Sequence, residues 1–140
     1  MLKDFSPLIA FTLGWLSAQA IKMALVMKRT KEQRLKKALA TWRKSGGMPS
    51  GHAASMVALT VVIGAQTGIK TPLFMLAVAI TMIVLYDAMN VRYAVGENAK
   101  ILAKMAQKEA PKVVEGHTLM EVIAGAALGL AIGFLLVCVR

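Results

Sequence analysis

Cysteine, histidine and acidic residues are scarce in this sequence: 140 residues include one cysteine, two histidines and seven Asp and Glu. The lone Cys138 excludes a disulfide framework or a cysteine metal site within one chain, and an apolar filler role is expected for it. Polar residues are also few, because 57% of the chain is hydrophobic and the mean hydropathy is +0.61. Such a composition excludes an ordinary soluble domain of this size.

Apolar residues instead concentrate in stretches long enough to cross a bilayer core, for which about 20 residues are needed. The first stretch lacks a small-residue cleavage site and is expected to be a retained span. The sequence therefore predicts an all-α fold, a polytopic membrane bundle of four transmembrane helices in one domain over residues 1–140. The predicted spans are 5–27, 49–68, 72–89 and 118–139, joined on one side by links 28–48 and 90–117.

The 17 Lys and Arg give a formal net charge of +10, and thirteen of them lie in the two long links. The excess of positive charge in short loops marks the cytoplasmic side. Both links are therefore expected in the cytoplasm and both termini outside. Nucleic-acid binding is disfavoured, since little polar surface remains to display a basic patch.

The stretch from Ser45 to Ser55 interrupts the apolar pattern with two glycines and Pro49 before small residues resume. Pro49 suits the start of a helix, and Ser50 is a good N-terminal cap. His52 is then expected in the first turn of a helix, where free backbone N–H groups attract anions such as phosphate. His117, the second histidine, also precedes an apolar run.

Four helix ends are expected to meet on the cytoplasmic side, and every chemically notable residue falls at that depth. His117 and Glu121 are four residues apart and share a helix face, so the carboxylate can fix the imidazole tautomer and leave the other nitrogen free to attack. His52 is a candidate proton donor to a leaving oxygen. Residues expected to hold phosphate oxygens are Lys22, Arg29, Ser50, Gly51 and Arg92.

Plainer interpretations remain open for several of these residues. Lys22 lies within about two turns of the boundary and can simply extend its amine to the interface. Asp87 and Arg92 can form a local ion pair at a helix end. A metal site is the weaker chemical hypothesis, because two histidines and scattered acids lack ligand spacing in a basic region that repels cations.

The motifs resemble the type 2 phosphatidic acid phosphatase superfamily, which includes vanadium haloperoxidases, and more closely its small divergent membrane branch. Pro49-Ser50-Gly51-His52 is similar to the second signature of the superfamily. The Lys22 and Arg29 pair has the first-signature spacing, with Thr30 in place of proline. Further matching stretches are Ala18-Gln19, Tyr86-Asp87-Ala88 with Val91-Arg92, and Gly116-His117-Thr118 with Glu121.

The resemblance implies roles for these residues. His117 would be the nucleophile that forms a phosphohistidine, Glu121 would orient it, and His52 would be the general acid. Glu121 stands where the third signature has aspartate, and Pro111 stands where it has arginine, which Arg92 or Lys112 would replace. Supporting positions are expected at Gln19, Asp87 and Lys112. That mechanism uses no metal or other cofactor.

The leading hypothesis is a metal-independent phosphatase of the cytoplasmic leaflet of a bacterial inner membrane. Its substrate would be a lipid phosphate: a polyprenyl phosphate or diphosphate, phosphatidic acid or phosphatidylglycerophosphate. The rival is a non-catalytic protein that binds or moves anionic lipids. A third alternative is an assembly subunit that uses the glycine stripe Gly125, Gly129 and Gly133, since small residues let helices approach closely. A homodimer fits all three.

Overall fold

The computed structural model describes residues 5–29, 47–107 and 116–139, and within these ranges every regular element is an α-helix. The predicted all-α class is thereby confirmed. In chain order the helices are α1 (Ser6–Arg29), α2 (Gly51–Thr67), α3 (Pro72–Met89), α4 (Val91–Met105) and α5 (Leu119–Cys138). The bounds of α1, α2, α3 and α5 lie within two residues of the four predicted spans, and α4 lies in the second link.

Three of these helices begin after an N-cap residue whose side-chain hydroxyl accepts a hydrogen bond from a backbone N–H of the first turn. Ser50 caps α2, Thr71 caps α3 ahead of Pro72, and Thr118 caps α5. These caps satisfy N–H groups that have no partner within the helix. The turn after α2 places Gly68 at φ +92°, a conformation that glycine adopts without a steric penalty.

In the part of the chain that the structure describes, three helices are long and apolar enough to cross a membrane: Ser6–Lys28, the continuous pair Pro72–Met105, and Leu119–Cys138. The 34 residues of Pro72–Met105 span about 51 Å at 1.5 Å per residue, so they exceed a bilayer core of about 30 Å. The α2 helix has 17 residues and is shorter than these three. The chain is a membrane protein with three such helices, and the number of spans predicted from sequence was four.

The short α2 helix is the centre of the bundle and contacts α1, α3 and α5. Its buried residues are small, as are nearly all buried apolar residues of the described chain. Large apolar side chains such as Leu76, Ile83 and Phe134 point outward. This arrangement is typical of membrane bundles, in which helices associate by close backbone packing and apolar side chains face lipid.

The glycine stripe of α5 packs on α2 of the same chain. A Cβ atom at Gly125, Gly129 or Gly133 would lie 2.4 to 2.7 Å from atoms of α2, closer than such contacts occur in proteins. The sequence correctly predicted a close helix approach along this stripe. Its partner is an internal helix, so the stripe is buried within the chain.

Candidate functional site

His52 is positioned by the capped start of α2. The Ser50 hydroxyl accepts the N–H of Ala53, and the Ser50 N–H donates to the carbonyl of Glu121 at 2.8 Å. Gly51 packs on Trp15, where an added Cβ would lie 3.3 Å from the indole ring. These contacts fix the first turn of α2 between α1 and α5, with the imidazole of His52 half-buried.

His117 is held from both sides just before α5. Its backbone N–H donates to the carbonyl of Ala88 at 2.8 Å, near the end of α3. Its Nδ1 lies 3.0 Å from Oε2 of Glu121. Because an ionised carboxylate only accepts hydrogen bonds, Nδ1 carries the proton in this pair and Nε2 keeps its lone pair.

Glu121 also completes a capping box with Thr118. The Thr118 hydroxyl accepts the N–H of Glu121 at 3.3 Å, and Glu121 Oε2 accepts the N–H of Thr118 at 3.2 Å. One carboxylate oxygen therefore serves both the helix start and the imidazole. The Thr-x-x-Glu pattern was a sufficient signal in the sequence, but Thr118 was not among the predicted site residues.

The two imidazole rings lie close together at the N-terminal ends of α2 and α5. Their centroids lie 6.0 Å apart, and the ring planes make an angle of 67°. The His117 side chain is 2% exposed, so it is almost fully enclosed by protein. Two histidines that are 65 residues apart in sequence thus share one site.

Among the described side chains, two cations lie close enough to interact electrostatically with both imidazoles. Lys22 is buried, with 5% of its surface exposed, and it also interacts with Glu121. It therefore points into the bundle, and the alternative that it extends to the interface does not hold. Arg92 interacts with both histidines while its Nε donates to Asp87 Oδ2 at 3.2 Å. The predicted Asp87–Arg92 ion pair is present, and it lies beside the imidazoles.

Burial lowers the pKa of the His117 imidazole below its ordinary value, and this is the largest influence on it. The hydrogen bond to Glu121 acts in the opposite direction, and the positive charges of Lys22 and Arg92 lower the pKa further. The net result keeps the ring neutral near pH 7, and a neutral ring is the nucleophilic form.

A pocket of about 350 Å³ lies beside His117, between α4 and the start of α5. Its lining residues are Tyr93, Gly96, Glu97, Lys100, Gly116, His117 and Thr118. Within the pocket wall, Lys100 donates to Glu97 at 2.8 Å. The sequence did not predict that α4 residues line this pocket, because it showed only that the link containing them is polar.

Seven of the predicted positions thus fall together: Lys22, Ser50, Gly51, His52, Arg92, His117 and Glu121. Asp87 joins them through Arg92, and Gln19 is buried on α1, three residues before Lys22. Lys112 and the side chain of Arg29 lie outside the described residues. In the described ranges, no three His, Cys, Asp or Glu side chains are grouped closely enough to hold a metal ion.

Comparison with known proteins identifies a family and a relative of this chain. The sequence model of the Divergent PAP2 family matches residues 4–132, which confirms the resemblance found in the motifs. The chain is also similar to an uncharacterized membrane protein, YuiD, of Bacillus subtilis. The two are 27% identical over 150 aligned positions, which cover 93% of this chain and 92% of YuiD. No solved structure matches the chain.

Proposed function

Because the chain belongs to the Divergent PAP2 family, we propose that it is a metal-independent phosphatase of membrane lipid phosphates. The observation that carries this proposal is the close, edge-on placement of the His52 and His117 rings, with Glu121 on Nδ1 of His117. This arrangement supplies a nucleophile, its orienting carboxylate and a proton donor within one buried site. The substrate class would be polyprenyl phosphates or diphosphates, phosphatidic acid or phosphatidylglycerophosphate.

The proposed topology has four spans in a bacterial inner membrane, with the site at the cytoplasmic leaflet and both termini outside. Although α2 has only 17 residues, it is about 25 Å long and packs against α1, α3 and α5, so it crosses with them. The basic links then lie on the side of the imidazoles, as the distribution of Lys and Arg favours. A homodimer remains a prediction, which cross-linking in native membranes tests.

The proposed reaction has two steps. Nε2 of His117 attacks phosphorus, the bond from phosphorus to the lipid oxygen breaks, and protonated His52 gives its proton to that oxygen, releasing the lipid alcohol. In the second step His52 takes a proton from water as the water oxygen attacks phosphorus. The phosphorus–nitrogen bond breaks, inorganic phosphate leaves, and both imidazoles return to their starting states.

The surrounding charges suit this reaction. Lys22 and Arg92 would neutralise phosphate oxygens, and Glu121 would stabilise the cationic His117 formed during attack. The backbone N–H groups at the start of α2 would supply further donors to the anion. A buried, cationic site strengthens each of these interactions relative to water.

The test is phosphate release by the purified protein in detergent, from phosphatidic acid, phosphatidylglycerophosphate and undecaprenyl phosphate, with EDTA present. The wild type is expected to hydrolyse at least one of these lipids, and His117→Ala to lose turnover. Cys138→Ala, at the far end of α5, is the matched control and should retain full activity. Turnover that survives in His117→Ala would refute the mechanism.

A second candidate function is binding or transport of anionic lipids without hydrolysis. The observation that favours it is the enclosure of His117, whose side chain is only 2% exposed, together with the engagement of Arg92 by Asp87. Under this alternative the wild type would bind the same lipids and release no phosphate. Binding would also survive His117→Ala, because Lys22 and Arg92 would still attract the headgroup.

A further inference from the structure

One face of α2 is only partly covered by the other described helices along most of its length. His52, Met56, Leu59 and Ile63 are spaced by four, three and four residues, so they form one strip along the axis. All four side chains are half-buried. The strip begins at the candidate site and continues through three apolar residues toward the opposite membrane surface.

Different helices flank the two sides of this strip. On one side α1 packs closely, since a Cβ atom at Gly14 would lie 2.9 Å from the Cα of Ser55. On the other side α3 is joined to α2 by a hydrogen bond of 2.8 Å between the hydroxyls of Thr60 and Thr81. Among the described residues, α1 and α3 make no contact with each other. The strip is therefore the floor of a cleft between α1 and α3.

The dimensions and chemistry of the cleft suit a hydrocarbon chain. From His52 to Ile63 the floor is about 16 Å long at 1.5 Å per residue. At its far end the Gln66 amide of α2 donates a hydrogen bond to the Ser6 hydroxyl of α1. The charged side chains of Lys22 and Arg92 lie at the His52 end.

We propose that this cleft binds one hydrocarbon chain of the lipid whose phosphate lies between His52 and His117. The inference rests on the proposed function. In an in-line attack by His117, the lipid oxygen leaves on the opposite side of phosphorus, toward His52. The chain attached to that oxygen must therefore leave the site along the His52 face of α2, which is the face that the cleft exposes.

A second apolar pocket provides a matched comparison. It holds about 270 Å³ between α2, α3 and α5, and its lining includes Val57, Val78 and Leu130. None of its lining residues belongs to the candidate site. Ordinary bilayer lipid would occupy either surface without selection, whereas a substrate chain would occupy only the cleft that continues from His52.

The direct test is photocross-linking of the His117→Ala protein, which is expected not to hydrolyse the probe, in detergent micelles with phosphatidic acid that carries a diazirine in the middle of one chain. Adducts are expected on Met56, Leu59 or Ile63, with yields about ten-fold above those from diacylglycerol with the same chains. Equal yields from the two lipids, or adducts on Val57 and Val78 instead, would overturn the proposal. This arm needs no turnover, so it separates failure of the cleft from failure of the phosphatase function.

The second test measures the kinetics of three variants. Leu59→Trp fills the cleft, and Leu59→Asn makes it polar. Val78→Trp, in the second pocket, is the matched control. Both Leu59 variants should raise KM for long-chain phosphatidic acid about ten-fold while hydrolysis of soluble butyl phosphate stays within about two-fold. Val78→Trp should change neither. Equal losses on both substrates in a folded Leu59 variant, or no loss on either, would contradict the cleft.

Discussion

Oε2 of Glu121 lies 3.0 Å from Nδ1 of His117, and the same oxygen accepts the backbone N–H of Thr118 at 3.2 Å. The carboxylate is thus fixed by the start of α5 before it acts on the imidazole. The capping box at the start of α5 thus also orients His117, the proposed nucleophile. Substitutions that separate the two roles of Glu121 are therefore informative.

Replacement of Glu121 by Gln should abolish most activity while leaving the fold intact. Glutamine also serves at the third position of a capping box, so α5 should begin as before. The neutral amide loses the charge that stabilises cationic His117 and no longer fixes the tautomer with Nε2 unprotonated. We expect kcat to fall about 10²- to 10⁴-fold, with a thermal midpoint close to wild type. Unchanged kcat would remove Glu121 from the mechanism.

Thr118 is expected to act as a positioning residue through Glu121. Thr118→Val removes the hydroxyl that accepts the Glu121 N–H, and loss of such a cap destabilises a helix by about 1 kcal/mol. The carboxylate should then hold His117 less firmly and kcat should fall about ten-fold. Thr118→Ser keeps the hydroxyl and should restore both kcat and stability. A serine variant as slow as the valine variant would argue against this role.

The pH dependence follows from the lowered pKa of His117, which burial causes. The His117 ring must be neutral to attack and His52 must be protonated to give up its proton, so the pH profile of kcat should be bell-shaped. Its acidic limb, set by His117, should have a midpoint below the ordinary histidine value of about 6.5. Since a histidine with a depressed pKa binds its proton more readily when unfolded, its contribution to stability is present above the unfolded pKa. That contribution is lost as the pH falls through the folded pKa.

Lys22 offers a variant that tests the same electrostatics. Its positive charge lowers the pKa of His117, so Lys22→Met should move the acidic midpoint of the rate profile to higher pH. The variant should also raise KM, because a phosphate-neutralising charge is lost. Thr12→Val, on the lipid-facing part of α1, is a control that should leave the profile unchanged. A midpoint that stays fixed or moves to lower pH would show that Lys22 does not act on His117.

Much of the fold was predictable because its signals are local. The long apolar stretches predicted the positions of α1, α3 and α5. Ser50 and Thr118 indicated helix starts because their hydroxyl groups cap a helix. The residues of the site were predictable because the helix ends that carry them were expected on one side of the membrane. The contribution of Tyr93 and Gly96 to the pocket beside His117 was not, because it depends on how α4 packs against the loop before α5. The sequence also could not predict that Lys22 points into the bundle, because this depends on tertiary packing.

The packing of α5 on α2 gives the last prediction, which contrasts two glycine-to-alanine changes. At Gly125 a methyl group would lie 2.4 Å from the carbonyl oxygen of Ser50 and 3.0 Å from its nitrogen. At Gly96, in the middle of α4, nothing lies within 4 Å of an added methyl group. Gly96→Ala should therefore stabilise the protein by about 0.5–1 kcal/mol, because alanine restricts the unfolded chain and favours helix.

Gly125→Ala should instead destabilise the fold by about 1–3 kcal/mol, since backbone atoms of a packed helix cannot move aside as a flexible side chain can. The clash falls at the Ser50 N–H that donates to the Glu121 carbonyl, so it should also push the start of α2 away from α5. His52 would then separate from His117, and activity should fall by more than the loss of folded protein explains. Thermal unfolding in detergent gives the stability difference, and kcat per folded molecule gives the second effect. A Gly125→Ala protein as stable and active as Gly96→Ala would show that α2 and α5 do not need this close approach to form the site.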